Sequence, residues 1–273
     1  MTDKEHTDSN LLEDQLSIWA VVMKLGLVED GEVYDDHGYD KYPKNDKKKK
    51  DLKMRYPKII LIQKLYKSDL TDYIAIHKSS HNMFRMDINT NMGQFMAEIV
   101  PKLKKLHDNG LIHGDLKPEN LVVDYEDCQD GTTEFKSFGI IDWEEIAEIN
   151  GFKNRMIGTR GYVAPEIKDN DDWFRITPQL DVFSLGISLL QLLNDGVHPY
   201  KNHINSDDDP QELLNQDMLD EIFDECVIYE NFMFNDLVEN MISYDANQRY
   251  DINDVINHSW FQENCTIKNM KRN

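Results

Sequence analysis

One helical segment without a polar face places the tightest constraint on how this chain can fold. Residues Leu180–Leu193 read LDVFSLGISLLQLL and are apolar almost all round, whereas a helix at a protein surface keeps one polar face. The segment is also shorter than the roughly 20 apolar residues that cross a bilayer. We therefore predict a helix buried at the centre of a large domain, which a chain of 273 residues is long enough to build.

The overall charge and the cysteines exclude several classes of protein. The chain carries 30 Lys and Arg against 51 Asp and Glu, a formal net charge of −21 at pH 7, which argues against general binding to nucleic acids or anionic membranes. Its three cysteines are scattered outside any CxxC pair, so neither a disulfide framework nor a zinc site is predicted. The N-terminal residues are polar and no membrane-length apolar run follows, so we expect a soluble, intracellular, cytoplasmic protein.

The pattern along the chain predicts helices and strands around one long loop. Residues 29–56 are rich in Asp, Lys, Gly and Tyr and read as an exposed, lysine-rich loop. The run KIILIQKL at 58–65 is dense in Ile and Leu and predicts a buried strand. Asp69 is placed to cap a helix that begins with LTDYIAIH. Two β-like runs, LVVDY starting at Leu121 and FGIID starting at Phe138, predict a hairpin.

A cluster of polar residues lies where that hairpin begins and ends. LIHGDLKPEN places Asp115, Lys117 and Asn120 close together before the first strand, and IIDWEE places Asp142 after the second. In-line phosphoryl transfer needs an acceptor for the hydroxyl's hydrogen bond, a cation beside the phosphate and oxygen ligands for magnesium. These four residues supply that chemistry, and the hairpin would fold Asp142 back against the loop. The sequence therefore predicts a phosphoryl-transfer site that uses a divalent cation.

Together with GTRGYVAPE further along the chain, these motifs resemble those of the eukaryotic-type serine/threonine protein kinases. The resemblance implies an α+β fold of two lobes. It divides the chain into a reduced N-lobe at 1–63 with a helix, two strands and the long loop, a mainly helical C-lobe at 64–262, and a C-terminal tail at 263–273. It also implies that the γ-phosphate of ATP is transferred, with Mg²⁺, to a Ser or Thr hydroxyl of a protein substrate. The oligomeric state stays open.

By this resemblance the residues of the cluster have separate roles. Asp115 would be the catalytic base, and Lys117 would contact the transferred phosphate. Asn120 and Asp142 would bind magnesium. Thr159 would lie in the loop that receives the substrate.

The resemblance also assigns residues that support the site or face the nucleotide. Glu166 would pair with Arg249, and Asp181 would brace the backbone of the catalytic loop; these are scaffold residues. In the hinge, Gln63 would be the gatekeeper residue, and the backbone of Lys64 and Tyr66 would face adenine.

Two parts of the family pattern are not found in the sequence. No GxGxxG occurs, and no lysine stands at the spacing of the family's third-strand lysine. On this pattern we expect the chain to begin within or just before the regulatory helix. Because both parts hold the phosphates, we expect weak transferase activity. The alternative is a pseudokinase that acts as a scaffold or as a nucleotide-sensing binding module.

Two substitutions lie within the motifs. Gly114 stands where the family has arginine, so regulation by phosphorylation of the activation segment is not expected. Trp143 follows Asp142 in place of phenylalanine. The combination of HGD and IDWE also resembles the small-molecule kinases related to the aminoglycoside phosphotransferases. GTRGYVAPE and DVFSLG favour the protein kinases over that alternative.

Overall fold

The computed structural model describes residues 32–35, 59–62, 64–81, 91–129, 132–168, 173–204, 209–226 and 231–265. The chain divides into two compact units, Met1–Leu65 and Tyr66–Asn273. The sequence places the corresponding boundary between residues 63 and 64.

In the first unit the described strands form one antiparallel pair. Strand β1 (Glu32–Asp35) pairs with β2 (Ile59–Ile62), and β2 lies within the predicted strand. The prediction of a continuous loop over 29–56 was wrong at β1. Val33 and Tyr34 favour extended structure, but their partner strand is distant in sequence, so local composition does not reveal the pairing. The predicted N-terminal helix lies outside the described residues.

The second unit begins with a three-stranded antiparallel sheet. Its strand order is β3 (Ser68–Asp69), β5 (Leu121–Asp127) and β6 (Thr133–Ile140). Strands β5 and β6 form the predicted hairpin, which buries Leu121, Val122, Val123 and Tyr125 of β5 and the last three residues of β6. Helix α1 (Leu70–His81) follows β3. Its predicted cap is confirmed, since Asp69 accepts a hydrogen bond from the backbone N–H of Asp72 at 2.9 Å.

Helix α2 (Asn91–Asp108) buries an apolar stripe and holds β6 in place. Glu98 accepts a hydrogen bond from the backbone N–H of Phe138 at 2.7 Å, and Lys102 donates to the carbonyl of Phe138 at 2.6 Å. Helix and hairpin are therefore joined by polar contacts as well as by packing. Two short antiparallel pairs complete the strands described in this unit: β4 (Leu111–Ile112) with β7 (Ala147–Glu148), and β8 (Phe152–Lys153) with β9 (Phe174–Arg175).

Helix α3 (Gln179–Leu193) is the predicted central helix, and every residue from Leu180 to Leu192 is buried. Burial over all of these residues confirms the inference drawn from the missing polar face. The remaining described α-helices follow it in the chain: α4 (Pro210–Leu213), α5 (Gln216–Cys226), α6 (Phe232–Met241), α7 (Ile252–Asn257) and α8 (Ser259–Asn264).

The C-terminal helix extends further than the sequence predicts. Helix α8 ends at Asn264, beyond the predicted end of the lobe at residue 262. Trp260, Phe261 and Cys265 are all buried, so burial of apolar side chains on both sides of the predicted boundary holds this turn to the core. Within the described stretches, no helix has the length and apolarity needed to cross a membrane.

Candidate active site

A buried aspartate in the central helix fixes the backbone of the loop that carries the predicted catalytic residues. Asp181 of α3 is 1% exposed. It accepts hydrogen bonds from the backbone N–H groups of His113 and Gly114 at 2.8 and 2.9 Å, and from His107 Nε2 at 2.9 Å. Burial raises the pKa of Asp181, but the hydrogen bonds from His107 and from the backbone outweigh burial and lower it overall. The carboxylate is therefore ionised, and it braces the loop as the resemblance implies.

Four predicted site residues meet in one hydrogen-bond network. Asp115 Oδ1 accepts from the Thr159 hydroxyl at 2.7 Å, and the same hydroxyl accepts from Lys117 Nζ at 2.6 Å. Lys117 Nζ also lies 3.0 Å from Asp115 Oδ2. Asn120 Nδ2 donates to the Asp115 carbonyl at 2.8 Å and to Oδ2 at 3.2 Å. The carboxylate of Asp115 is thus oriented from three sides, between a cation and a hydroxyl.

Backbone contacts bring Asp142 to the same loop. The N–H of Ile141 donates to the Asn120 carbonyl at 3.0 Å, and the Ile141 carbonyl accepts from His113 Nε2 at 3.0 Å. Asp142 therefore directly follows Ile141, a residue that is hydrogen-bonded to His113 at the start of the catalytic loop and to Asn120 at its end. Its backbone has φ of 62°, a left-handed conformation that Asp adopts more readily than most residues.

A buried histidine and tryptophan lie beneath this junction. The His113 ring is fully buried and contacts Trp143 edge-on, with ring centroids 4.9 Å apart. Burial lowers the pKa of His113 despite the nearby carboxylates, so the ring is neutral at pH 7. This state matches its contacts, because Nε2 donates to Ile141 while Nδ1 accepts from the backbone N–H of Asp115 at 3.2 Å. Trp143 is 1% exposed and fills the position after Asp142 with apolar bulk.

The oxygen atoms of Asn120 and Asp142 fit a magnesium ion. The side-chain Nδ2 of Asn120 donates to Asp115. The side-chain Oδ1 of Asn120 is therefore the atom left to act as a ligand. The Asp142 side chain is exposed. Magnesium binds through one or two protein oxygens plus water and phosphate, which suits this pair. No group of three or more His, Cys, Asp or Glu residues in the described part of the chain could hold a metal, so a cage of protein ligands is not present there.

The segment after Asp142 lies directly on the catalytic loop. Gly158 has φ of 88°, and a side chain at this position would come within 2.7 Å of the Gly114 carbonyl. Only glycine permits this approach, and it places the next residue, Thr159, in the network. Tyr162 fixes the far end, because its hydroxyl donates to Gln191 at 2.5 Å.

The predicted scaffold pair is also present. Arg249 forms a bidentate ion pair with Glu166, with N–O distances of 2.8 and 3.0 Å. The Arg249 side chain is completely buried, whereas that of Glu166 is 28% exposed. The pair joins the end of the activation segment, residues 142–166, to the loop between α6 and α7.

The predicted hinge residues are only partly described. Gln63 lies outside the described residues. Lys64 is half-buried and belongs to the first unit, and Tyr66 opens the second unit. The Tyr66 ring packs on Gly139, where a side chain would collide with it. The adenine-facing role of these three residues stays a prediction.

Sequence reasoning missed His107 and the contacts of His113. His113 stands two residues before Asp115 in LIHGD, and this position marks it as a candidate site residue. Its roles as donor and acceptor depend on a contact with Ile141 that only the fold creates. His107 meets Asp181 across 74 positions of sequence, and no local pattern marks such a pair.

The protein kinase domain family model matches residues 49–261. The chain therefore belongs to the protein kinase family, which confirms the resemblance and the kinase-like α+β fold predicted from the motifs. The match favours this family over the aminoglycoside-phosphotransferase-like alternative.

Three relatives illustrate the range of similarity. Serine/threonine-protein kinase D2 of Rattus norvegicus is 23% identical over 227 residues, which cover 77% of this chain and 23% of the relative. Serine/threonine-protein kinase CST20 of Candida albicans is 35% identical over 111 residues, 41% of this chain and 8% of the relative. The DNA damage response protein kinase DUN1 of Saccharomyces cerevisiae is 23% identical over 245 residues, 78% and 45% respectively. This chain thus spans less than half the length of each.

Proposed function

We propose that this chain is a serine/threonine protein kinase that transfers the γ-phosphate of ATP to a protein hydroxyl with the help of Mg²⁺. One observation carries the proposal: the Asp115 carboxylate accepts a hydrogen bond from a hydroxyl whose oxygen also contacts Lys117. An acceptor hydroxyl in phosphoryl transfer needs the same two partners, a carboxylate for its proton and a cation for the charge that develops nearby.

The residues of the network divide the work of the reaction. A substrate Ser or Thr hydroxyl would donate to Asp115 and pass its proton to that carboxylate as its oxygen bonds to phosphorus and the bond to ADP breaks. Lys117 would offset negative charge beside the transferred group. Asn120 and Asp142 would hold Mg²⁺, which when bound neutralises charge on the phosphate oxygens. Asn120 would also keep Asp115 oriented through its amide.

Metal removal gives a direct test of this function. The full chain is incubated with γ-labelled ATP and a mixed protein substrate such as histone or casein, with Mg²⁺ or with excess EDTA. We expect label on Ser and Thr in the presence of Mg²⁺ and none above background with EDTA, because Asn120 and Asp142 hold the phosphates only through the cation. Phosphoamino-acid analysis identifies the acceptor. Equal label in both arms would remove the proposal.

A nucleotide-sensing pseudokinase or a scaffold is the second candidate, favoured by the lack of a GxGxxG motif in the sequence. Thermal unfolding with ATP separates these functions. ATP and Mg²⁺ at about 100 times the dissociation constant should stabilise a nucleotide-binding chain by about 2.7 kcal/mol. Asp142→Asn should reduce this shift. A shift without transfer of label would support the nucleotide sensor, and an unchanged melting curve in both Mg²⁺ and Ca²⁺ would support the scaffold.

A further inference from the structure

The activation segment, residues 142–166, contains an ion pair built from its own side chains. Arg155 donates to both oxygens of Glu145, with distances of 3.2 and 2.9 Å. Lys153 Nζ lies 3.9 Å from the same carboxylate. Burial lowers the pKa of Lys153, and the neighbouring Arg155 lowers it further while Glu145 opposes both. Two cations of one segment thus meet on a single half-buried carboxylate, and the contact with the more exposed Arg155 is bidentate.

The backbone of Glu145 also contacts the catalytic loop. Gly114 has φ of 83°, and a side chain there would lie 2.5 Å from the Glu145 carbonyl and 3.3 Å from its Cβ. The space beside Glu145 that an arginine at position 114 would need is therefore filled by main chain. Glu145 touches the catalytic loop with its backbone and the later part of the segment with its carboxylate, so it connects the two.

The hydroxyl groups of the segment are all engaged. Residues 142–166 contain no serine, one threonine and one tyrosine, Thr159 and Tyr162. The Thr159 hydroxyl lies between Asp115 and Lys117. Tyr162 is 6% exposed and bonds to Gln191, and burial raises its pKa. In this arrangement the segment presents no free hydroxyl to a kinase, and no arginine stands at 114 to bind a phosphate.

We infer that Glu145, Arg155 and Lys153 form a permanent charge clamp that keeps the activation segment ordered on the catalytic loop without phosphorylation. The clamp closes the stretch from Glu145 to Arg155. Gly158, which lies against the Gly114 carbonyl, then sets Thr159 in the network. Glu145 and Arg155 are therefore positioning residues, which act through Thr159 rather than on substrate. The claim that an ordered activation segment aids phosphoryl transfer rests on the proposed function. The claim that the clamp orders the segment does not.

Hydrogen exchange tests the clamp on the full chain after phosphatase treatment. The readout is amide exchange in residues 153–157, with α3 as the internal reference for an intact fold. We expect the wild type to exchange at the same rate before and after treatment. Glu145→Gln and Arg155→Gln should each speed exchange about tenfold in 153–157 and leave α3 unchanged, because the ion pair is lost while the core is not.

Three further variants distinguish a clamp from a general loss of charge. Glu148→Gln removes a carboxylate from the same segment at an exposed position and should exchange like the wild type. The double variant Glu145→Gln/Arg155→Gln should exchange no faster than either single variant, since the two residues act as one unit. Arg155→Lys, which keeps the charge but loses the fork of two donors, should fall between.

Several results would overturn the inference. They are faster exchange of the wild type after phosphatase treatment, equal exchange in Glu145→Gln and Glu148→Gln, or additive effects in the double variant. Because exchange requires neither nucleotide nor turnover, the clamp can fail while phosphoryl transfer is observed, and transfer can fail while the clamp is observed.

Discussion

Asp115→Asn is expected to lower the rate of phosphoryl transfer by about 10²- to 10⁴-fold while the chain stays folded. The amide retains the size of the carboxylate and can still bond to Thr159, but it cannot take the proton of an acceptor hydroxyl. It also removes the negative partner that lies 3.0 Å from Lys117. Initial rates with labelled ATP measure the effect on transfer, and circular dichroism shows whether the fold is kept.

A matched substitution outside the site shows whether the loss is specific to Asp115. Asp108 is an exposed residue at the end of α2 that pairs with Lys104, and surface pairs of this kind contribute about 0–1 kcal/mol. Asp108→Asn should therefore leave the transfer rate within about twofold of the wild type. If Asp115→Asn and the wild type gave the same rate, Asp115 would not be the base, and the label would have to come from another enzyme in the preparation.

Arg249→Met is expected to lower the free energy of unfolding by about 3–5 kcal/mol, because it leaves a partly buried carboxylate without its partner. The guanidinium uses all of its donors: it bonds to both Glu166 oxygens and to the carbonyls of Ser243, Tyr244 and Gln179. It also lies over the Phe183 ring, 4.8 Å from its centroid. Methionine fills similar volume but satisfies none of these acceptors. Urea unfolding measures the change.

Two further variants show how much of the Arg249→Met effect comes from the buried ion pair. Arg175→Met removes an exposed arginine that makes one hydrogen bond to Asn150 and should change stability by less than about 1 kcal/mol. Glu166→Gln combined with Arg249→Met should be less destabilising than the sum of the two single changes, since the pair is removed together. Equal unfolding midpoints for Arg249→Met and Arg175→Met would show that the buried ion pair does not support the fold.

Local patterns predicted the parts of the fold that depend on neighbouring residues. The helix cap at Asp69, the β5–β6 hairpin and the buried helix α3 each follow from residues close together in sequence. Strand β1 was missed because its pairing with β2 joins distant segments. The register of such a pair is set by the partner strand, and a short strand flanked by charged residues has little signal of its own.

The candidate site divides in the same way. The motifs placed Asp115, Lys117 and Asn120 in one loop, and the structure joins them to Thr159 through hydrogen bonds; their catalytic roles stay predictions. The Glu145–Arg155 pair could not be predicted from the sequence, because many charges of both signs lie nearby and only the folded backbone decides which of them meet.

The backbone at Gly114 limits which residues can replace this glycine. A single change to arginine at this position would meet a left-handed backbone, at about 1–2 kcal/mol for a non-glycine residue, and the Glu145 carbonyl would block its first carbon. A phosphate-operated switch therefore cannot be installed here by one substitution. It would require a new path for the main chain at Glu145 first, because the present backbone leaves no room for the arginine side chain.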